Sequence, residues 1–255
     1  MRKIIALILA AALFVITLSA CGEEKTPEGQ EAQTSAASSE KTTPESTSAP
    51  EPEPAVSPYA WQGLQDMPKC RYLDLYCSYH FYLKSETYVM GLVAEQVQAV
   101  DGINSYTSSS GSESWSIDGK ILSVNHNSKI YAEYDLGEQM TAEGAVNMRK
   151  AMDEGTNMIG REFVGKGTES IPEYSEHGDT AQYEYYEYTT DVENDAADYT
   201  VKERFYMKDG DVFAIYQGIK TGSTEIVTVS VVKTISPDIP KDIFELPDLT
   251  GYTKQ

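Results

Sequence analysis

Positive charge is scarce in this sequence: 20 Lys and Arg stand against 40 Asp and Glu over 255 residues, a formal net charge of −20. A nucleic-acid partner needs a basic surface, and so does docking onto an anionic bilayer, so neither partner fits. Histidine is as sparse, and His80, His126 and His177 lie far apart along the chain. They read as ordinary surface or strand residues rather than as zinc ligands. Only three cysteines are present, and none belongs to a Cys-x-x-Cys pair. Neither a Gly-rich phosphate loop nor a Gly-x-Ser-x-Gly elbow occurs. Carboxylates are plentiful, yet no loop has the alternating spacing of an EF-hand, and no pair stands out as a general acid and base. No catalytic residue, metal ligand or cofactor is assigned, and the expectation is a protein that is not an enzyme.

The N-terminus is informative. Met1-Arg2-Lys3 is a short positive start, and Ile4–Leu18 is an almost unbroken apolar run, too short to span a membrane comfortably. Leu18-Ser19-Ala20-Cys21-Gly22 follows and resembles the bacterial lipoprotein lipobox. The resemblance implies a signal peptide over residues 1–20 and a Cys21 that carries acyl chains, palmitate among them. More than one chain is needed for stable anchoring. The expected location is the extracytoplasmic side of the cell membrane, with the membrane itself a partner through Cys21. Residues 22–57 are almost wholly Glu, Ser, Thr, Pro, Ala, Gln and Gly, with no aromatic residue. Such a segment buries too little apolar surface to offset the entropy of ordering, so residues 21–57 are expected to be a disordered tether of roughly 35 Å r.m.s. span. Tethers of this kind are common on surface lipoproteins of Gram-positive bacteria.

Residues 58–255 suffice for one domain with a sizeable core. Tyr199–Lys208 and Asp211–Ile219 flank Asp209-Gly210, and Thr221-Gly222-Ser223 leads into Thr224–Ile235. There Val227, Val229 and Val231 alternate with Thr228 and Ser230, the period of a half-buried strand. Earlier strands are expected at Tyr79–Thr87, Gly91–Val100, Ile103–Ser109, Ser112–Ile117, Lys120–Asn125 and Ile130–Tyr134. Phe163–Ile171 and the Tyr-rich Ala181–Thr190 bring the total to eleven. Asp-Gly pairs at 101–102, 118–119 and 209–210 mark strand junctions and point to an up-and-down antiparallel meander.

One helix is expected over Thr141–Met158, with Thr141 as N-cap and Ala145, Met148, Ala151 and Met152 on one face. That face suits either an adaptable apolar cavity or plain core filling. Tyr59–Arg71 reads as an irregular or helical lead-in. Cys70 and Cys77 can be bridged only if the chain turns between them, and the sequence leaves a disulfide and a buried free thiol both open. Tyr183, Tyr185, Tyr186 and Tyr188 could offer stacking faces to a ligand, although Tyr is also a favoured strand residue.

The eleven strands, the helical insertion after the sixth, the hairpin Phe205-Tyr-Met-Lys-Asp-Gly-Asp-Val-Phe213 and the ending Ile235-Ser-Pro-Asp-Ile-Pro-Lys-Asp-Ile-Phe-Glu-Leu-Pro247 resemble the lipoprotein-carrier-like superfamily. That superfamily includes the periplasmic Lol carriers (the LolA/LolB type), the RseB-type anti-sigma regulator and the LppX/LprG-type mycobacterial lipoproteins. The resemblance implies a mainly β fold with a helical insertion (α+β). Its curved antiparallel sheet would form an unclosed half-barrel, with helix over the concave face and an apolar cavity beneath. A lipid or other hydrophobic ligand is the implied partner, with Met148, Met152, Phe205, Phe213 and Ile215 lining the cavity. The alternative is an envelope interaction or stress-sensing protein whose sheet holds a protein partner. The chain is expected to be lipid-anchored where the periplasmic carrier is soluble, so only fold and ligand class carry over.

Overall fold

A computed structural model describes residues 57–135, 150, 154–192 and 198–255. Alternating apolar and polar residues broken by Gly-containing turns dictate strands, and the chain forms them: β1 (His80–Val89), β2 (Leu92–Asp101), β3 (Asn104–Ser109), β4 (Ser112–Ile117), β5 (Lys120–Asn125) and β6 (Ile130–Asp135). After the segment that follows β6 come β7 (Glu162–Glu169), β8 (Tyr183–Val192), β9 (Tyr199–Lys208), β10 (Asp211–Thr221) and β11 (Thr224–Ser236). The turns explain the sharp boundaries. At Asp209-Gly210 both residues have positive φ, 52° and 79°, the two-residue turn whose twist matches its flanking strands. At Asp101-Gly102 the glycine instead opens the loop with φ 62°, while Asp101 closes β2 against Asn104.

The sheet is not one continuous meander. Its order is β12-β6-β5-β4-β3-β2-β1-β11-β10-β9-β8-β7, so the first and eleventh strands meet in the middle and join two meanders. Tyr88 faces Val229 across that ladder, and a bulge at Lys84/Ser85 bends it. Eleven strands are antiparallel to their neighbours. The twelfth, β12 (Thr253–Lys254), is a two-residue parallel addition to β6 that the alternation pattern does not announce. The sheet is curved and does not close into a barrel, because β7 and β12 stay at opposite edges.

The concave face is covered by the segment ahead of β1. It consists of a 3-10 turn (Ala60–Gln62), an irregular stretch and helix α1 (Arg71–Tyr76), which packs on β1, β10 and β11. Trp61, Leu64, Met67, Tyr72 and Leu73 are buried here against Phe81, Tyr188, Phe205, Val212 and Ile235. Each large side chain so enclosed contributes about 1.5–3 kcal/mol. Two further cores lie on the convex face. Ile171 and Tyr174, in the loop after β7, cover Tyr88, Tyr206, Ala214, Val229 and Val231. The C-terminal tail, with Ile239, Ile243, Phe244, Leu249 and Tyr252, covers Tyr106, Trp115, Leu122 and Val124.

Cys70 and Cys77 flank α1 as its N-cap and C-cap residues and are both buried free thiols. The six-residue helix between them holds them about 10 Å apart, beyond disulfide reach. Burial pushes their thiols up, to about 11 for Cys70 and about 12 for Cys77. Most of the helix expected over Thr141–Met158 lies outside the described residues. Lys150 and Glu154 are helical, and the chain leaves the helix at Gly155 (φ 61°), three residues before Met158, because a left-handed residue ends the ladder.

Candidate binding site

Cross-strand register divides the concave face into two chemistries. Over β2–β5 it presents Gln96 and Gln98, Ser or Thr at 105, 107, 109, 112, 114, 116 and 123, and Asn125, with Leu92, Ala94, Val100 and Ile121 as its apolar members. No charged residue occurs on this side of those four strands, and the groups bond to one another, as in Ser114 Oγ to Ser123 Oγ at 3.2 Å and Asn125 Nδ2 donating to Ser112 Oγ at 3.1 Å. Over β8–β10 the same face presents Tyr186, Tyr188, Phe205, Met207 and Ile215. Phe163 continues this apolar surface to the β7 edge, its ring 5.3 Å from that of Tyr188 and 40% exposed.

A buried ion pair sits at the centre of the apolar half. Arg161 Nε donates to Glu203 Oε2 at 2.6 Å and its second nitrogen to Oε1 at 3.1 Å, while its third reaches the backbone oxygen of Gln62 at 2.9 Å. Burial opposes the guanidinium's charge, but the attraction and hydrogen bonds of Glu203 outweigh it and raise the Arg161 pKa. Three segments distant in sequence are clamped together in this way: the 3-10 turn, the approach to β7, and β9. Met158 N–H adds a bond to Trp61 O at 3.1 Å. Gly63 leaves no room for a side chain here, since a Cβ would lie 2.8 Å from that of Arg161.

The residues singled out from sequence fall in different places. Cys21, Met148 and Met152 lie outside the described residues. Phe205 is 3% exposed on the concave face, where the N-terminal segment covers it, and Ile215 is half-buried beside it. Phe213 lies on the opposite, convex face, because a bulge between Val212 and Ala214 shifts the alternation. There it stacks on Tyr183 at 5.1 Å. The four tyrosines of β8 split likewise: Tyr186 and Tyr188 are concave, Tyr183 and Tyr185 convex. The structure therefore brings together Phe205, Ile215, Tyr186 and Tyr188, and separates them from Phe213. Arg161, Glu203 and Phe163 were not singled out, since an isolated Arg and a Glu 42 positions apart carry no sequence signal of pairing.

The histidines all find neighbours. His80 Nδ1 is 3.0 Å from Asp101 Oδ1, in an open cleft of about 370 Å³ formed with Pro237, Asp238, Ile239, Pro240, Lys241 and Phe244. His126 bridges Glu113 at 2.6 Å and the Tyr252 hydroxyl at 2.7 Å, which ties the tail to β4, and His177 packs on the Tyr88 ring at 4.9 Å. Among the described residues no serine, threonine or cysteine bonds to a histidine ring, no cluster of three metal-ligating side chains forms, and no helix is long and apolar enough to cross a membrane. Neither a protein-family model nor a curated protein matches this sequence.

Proposed function

We propose that this chain is a lipoprotein anchored through Cys21 on the extracytoplasmic side of the cell membrane, and that its half-barrel is a non-enzymatic binding module holding a lipid or other hydrophobic ligand in its concavity. The observation that carries this reading is the continuity of exposed and buried apolar surface on the concave side. Phe163, 40% exposed, meets the enclosed Tyr188 ring at 5.3 Å, and Tyr188 in turn meets the buried Phe205 at 5.9 Å. Contiguous exposed apolar surface of this kind marks a ligand or partner site. The acidic balance supports a molecule held off the bilayer by its tether rather than docked on it. A second reading, a protein partner gripped by the sheet, draws support from the way Trp61, Leu64, Met67, Tyr72 and Leu73 fill the concavity over β9–β11.

Native mass spectrometry of the chain expressed without residues 1–21 separates the two readings. An added mass that is lost on unfolding and extracts as a lipid is the expected result. A bare mass, with no uptake when lipids are supplied, removes the hydrophobic-ligand reading and leaves the protein partner.

A further inference from the structure

The hydroxyl of Tyr188 is fully enclosed and has no hydrogen-bond partner among the described residues. Leaving a buried hydroxyl unpaired costs about 1–3 kcal/mol, so such a group calls for an explanation. The neighbouring tyrosines show how readily this fold pairs them. Tyr59 donates to Asp74 at 2.6 Å, Tyr206 to Glu169 at 2.5 Å and Tyr106 to Glu113 at 2.6 Å, and Tyr79 accepts from Gln62 at 3.1 Å.

We propose that the Tyr188 hydroxyl is the polar contact of the concave ligand site, and that it selects an apolar molecule bearing a neutral carbonyl, an acyl ester or amide, over a free carboxylic acid. The inference rests on the hydrophobic-ligand reading above and specifies its chemistry. The Tyr188 ring packs against the 40% exposed Phe163 at 5.3 Å and against Phe205 at 5.9 Å, so an acyl chain entering past Phe163 would bring its first polar atom to this hydroxyl by displacing the side chains that enclose it. Burial, with the nearby Asp66 carboxylate, raises the phenol's pKa and keeps it protonated, which makes it a donor suited to a carbonyl oxygen. The charged groups that face it decide the preference. Asp66 is acidic, and Arg161, the nearest cation, already gives its guanidinium to Glu203 and Gln62. A ligand carboxylate would therefore meet a like charge with no free counter-ion, whereas an ester carbonyl meets only the donor.

The test uses the chain from residue 22 onward, without the lipidated Cys21 and with the rest of the tether included, loaded with the neutral dye N-phenyl-1-naphthylamine and titrated with 1-monooleoylglycerol or oleate at pH 8. The ester is expected to displace the dye at a concentration at least about tenfold below that needed for oleate. Tyr188→Phe is expected to raise the ester's midpoint about fivefold, to leave oleate's unchanged, and to keep the urea midpoint of the empty chain at or above that of the parent, since the lost hydroxyl had no partner. If the dye binds but Tyr188→Phe leaves the ester's midpoint unaltered, or clearly lowers the urea midpoint, the role of Tyr188 is overturned while the hydrophobic site stands. If dye, ester and oleate all fail to bind, both readings fall together.

Discussion

Strands β2–β6 and β7–β11 share one pleat and one sheet, yet the first arm buries large side chains mainly on one side and the second on both. In the first arm the concave face is uncharged and hydroxyl-lined, and Tyr106, Trp115, Leu122 and Val124 point to the convex side beneath the C-terminal tail. In the second arm both faces are packed, the concave one under the N-terminal segment and the convex one under the loop after β7. The first arm is thus two layers deep and the second three. A strand's face is specified by the alternation of its own residues, so one curved sheet can keep a convex core along its length and add a second, concave core only from β1 and the end of β2 onward through β11 to β8. The doubly packed arm carries the ionisable groups whose burial costs most, and the singly packed arm relies on a tail of fewer than twenty residues.

The sharpest way to break this contrast is to remove the clamp of the three-layer arm. Arg161→Met leaves Glu203, 7% exposed, without its counter-ion and releases Gln62. A loss of about 3–5 kcal/mol is expected from urea denaturation, because an uncompensated buried carboxylate remains. The double variant Arg161→Met/Glu203→Met should recover most of it, since no unpaired charge is left. A failure to recover would mean that the pair fixes the path of the N-terminal segment rather than merely neutralising itself.

Alkali gives a second, smaller separation. The thiols of Cys70 and Cys77 are raised to about 11 and about 12, so they ionise in the unfolded chain before they do in the folded one. Their contribution to stability is whole below about pH 8.5 and falls as pH rises through the unfolded value, levelling only near the folded ones. Roughly 2–3 kcal/mol should disappear by about pH 10 under reducing conditions, with the buried Tyr72 and the half-buried Tyr79 adding to the loss above that. All four groups sit in the concave core. Hydrogen exchange should accordingly report residues 59–79 opening while β3–β5 stay protected, and simultaneous opening would show that the two arms unfold as one unit.

Much of this architecture can be read without coordinates, and the exceptions share a cause. Eleven strands lie within two or three residues of where alternation and turn glycines put them, since both signals are local. The β1–β11 ladder is not local: nothing in Tyr82 or Ser236 says that these residues, so far apart in sequence, will face each other. Helix α1 escaped because Tyr72, Leu73, Leu75 and Tyr76 are too few to establish a period. β12 is held by backbone bonds from Thr253 to Lys129 and from Gln255 to Tyr131 and by the Lys254–Glu133 contact, none of which needs a strand-like sequence. At the site, unbroken hairpin register would set Phe205 opposite Ala214, and it faces Ile215 only because of the bulge between Val212 and Ala214. The displacement of Phe213 to the other face depends on a bulge, and the solitary hydroxyl of Tyr188 depends on what fails to arrive beside it.

The smallest effect tests the two-layer arm alone. Trp115 Nε1 donates to the Ile243 carbonyl at 3.0 Å, a direct bond from the convex face of β4 to the tail beside the bridge that His126 makes between Glu113 and Tyr252. Trp115→Phe keeps an aromatic ring against Tyr106, which it meets at 5.3 Å, and deletes only the donor and part of the ring's area. Because Ile243 is half-buried, water can reach its carbonyl, and the expected cost is about 1 kcal/mol rather than the larger penalty of a sealed acceptor. If the arms are separate in stability, exchange should quicken over 239–252 and β4–β5 and stay unchanged over β9–β11. An equal quickening on both sides of the β1–β11 ladder would mean that the tail supports the whole sheet, and the difference in layers would then be one of packing without any consequence for stability.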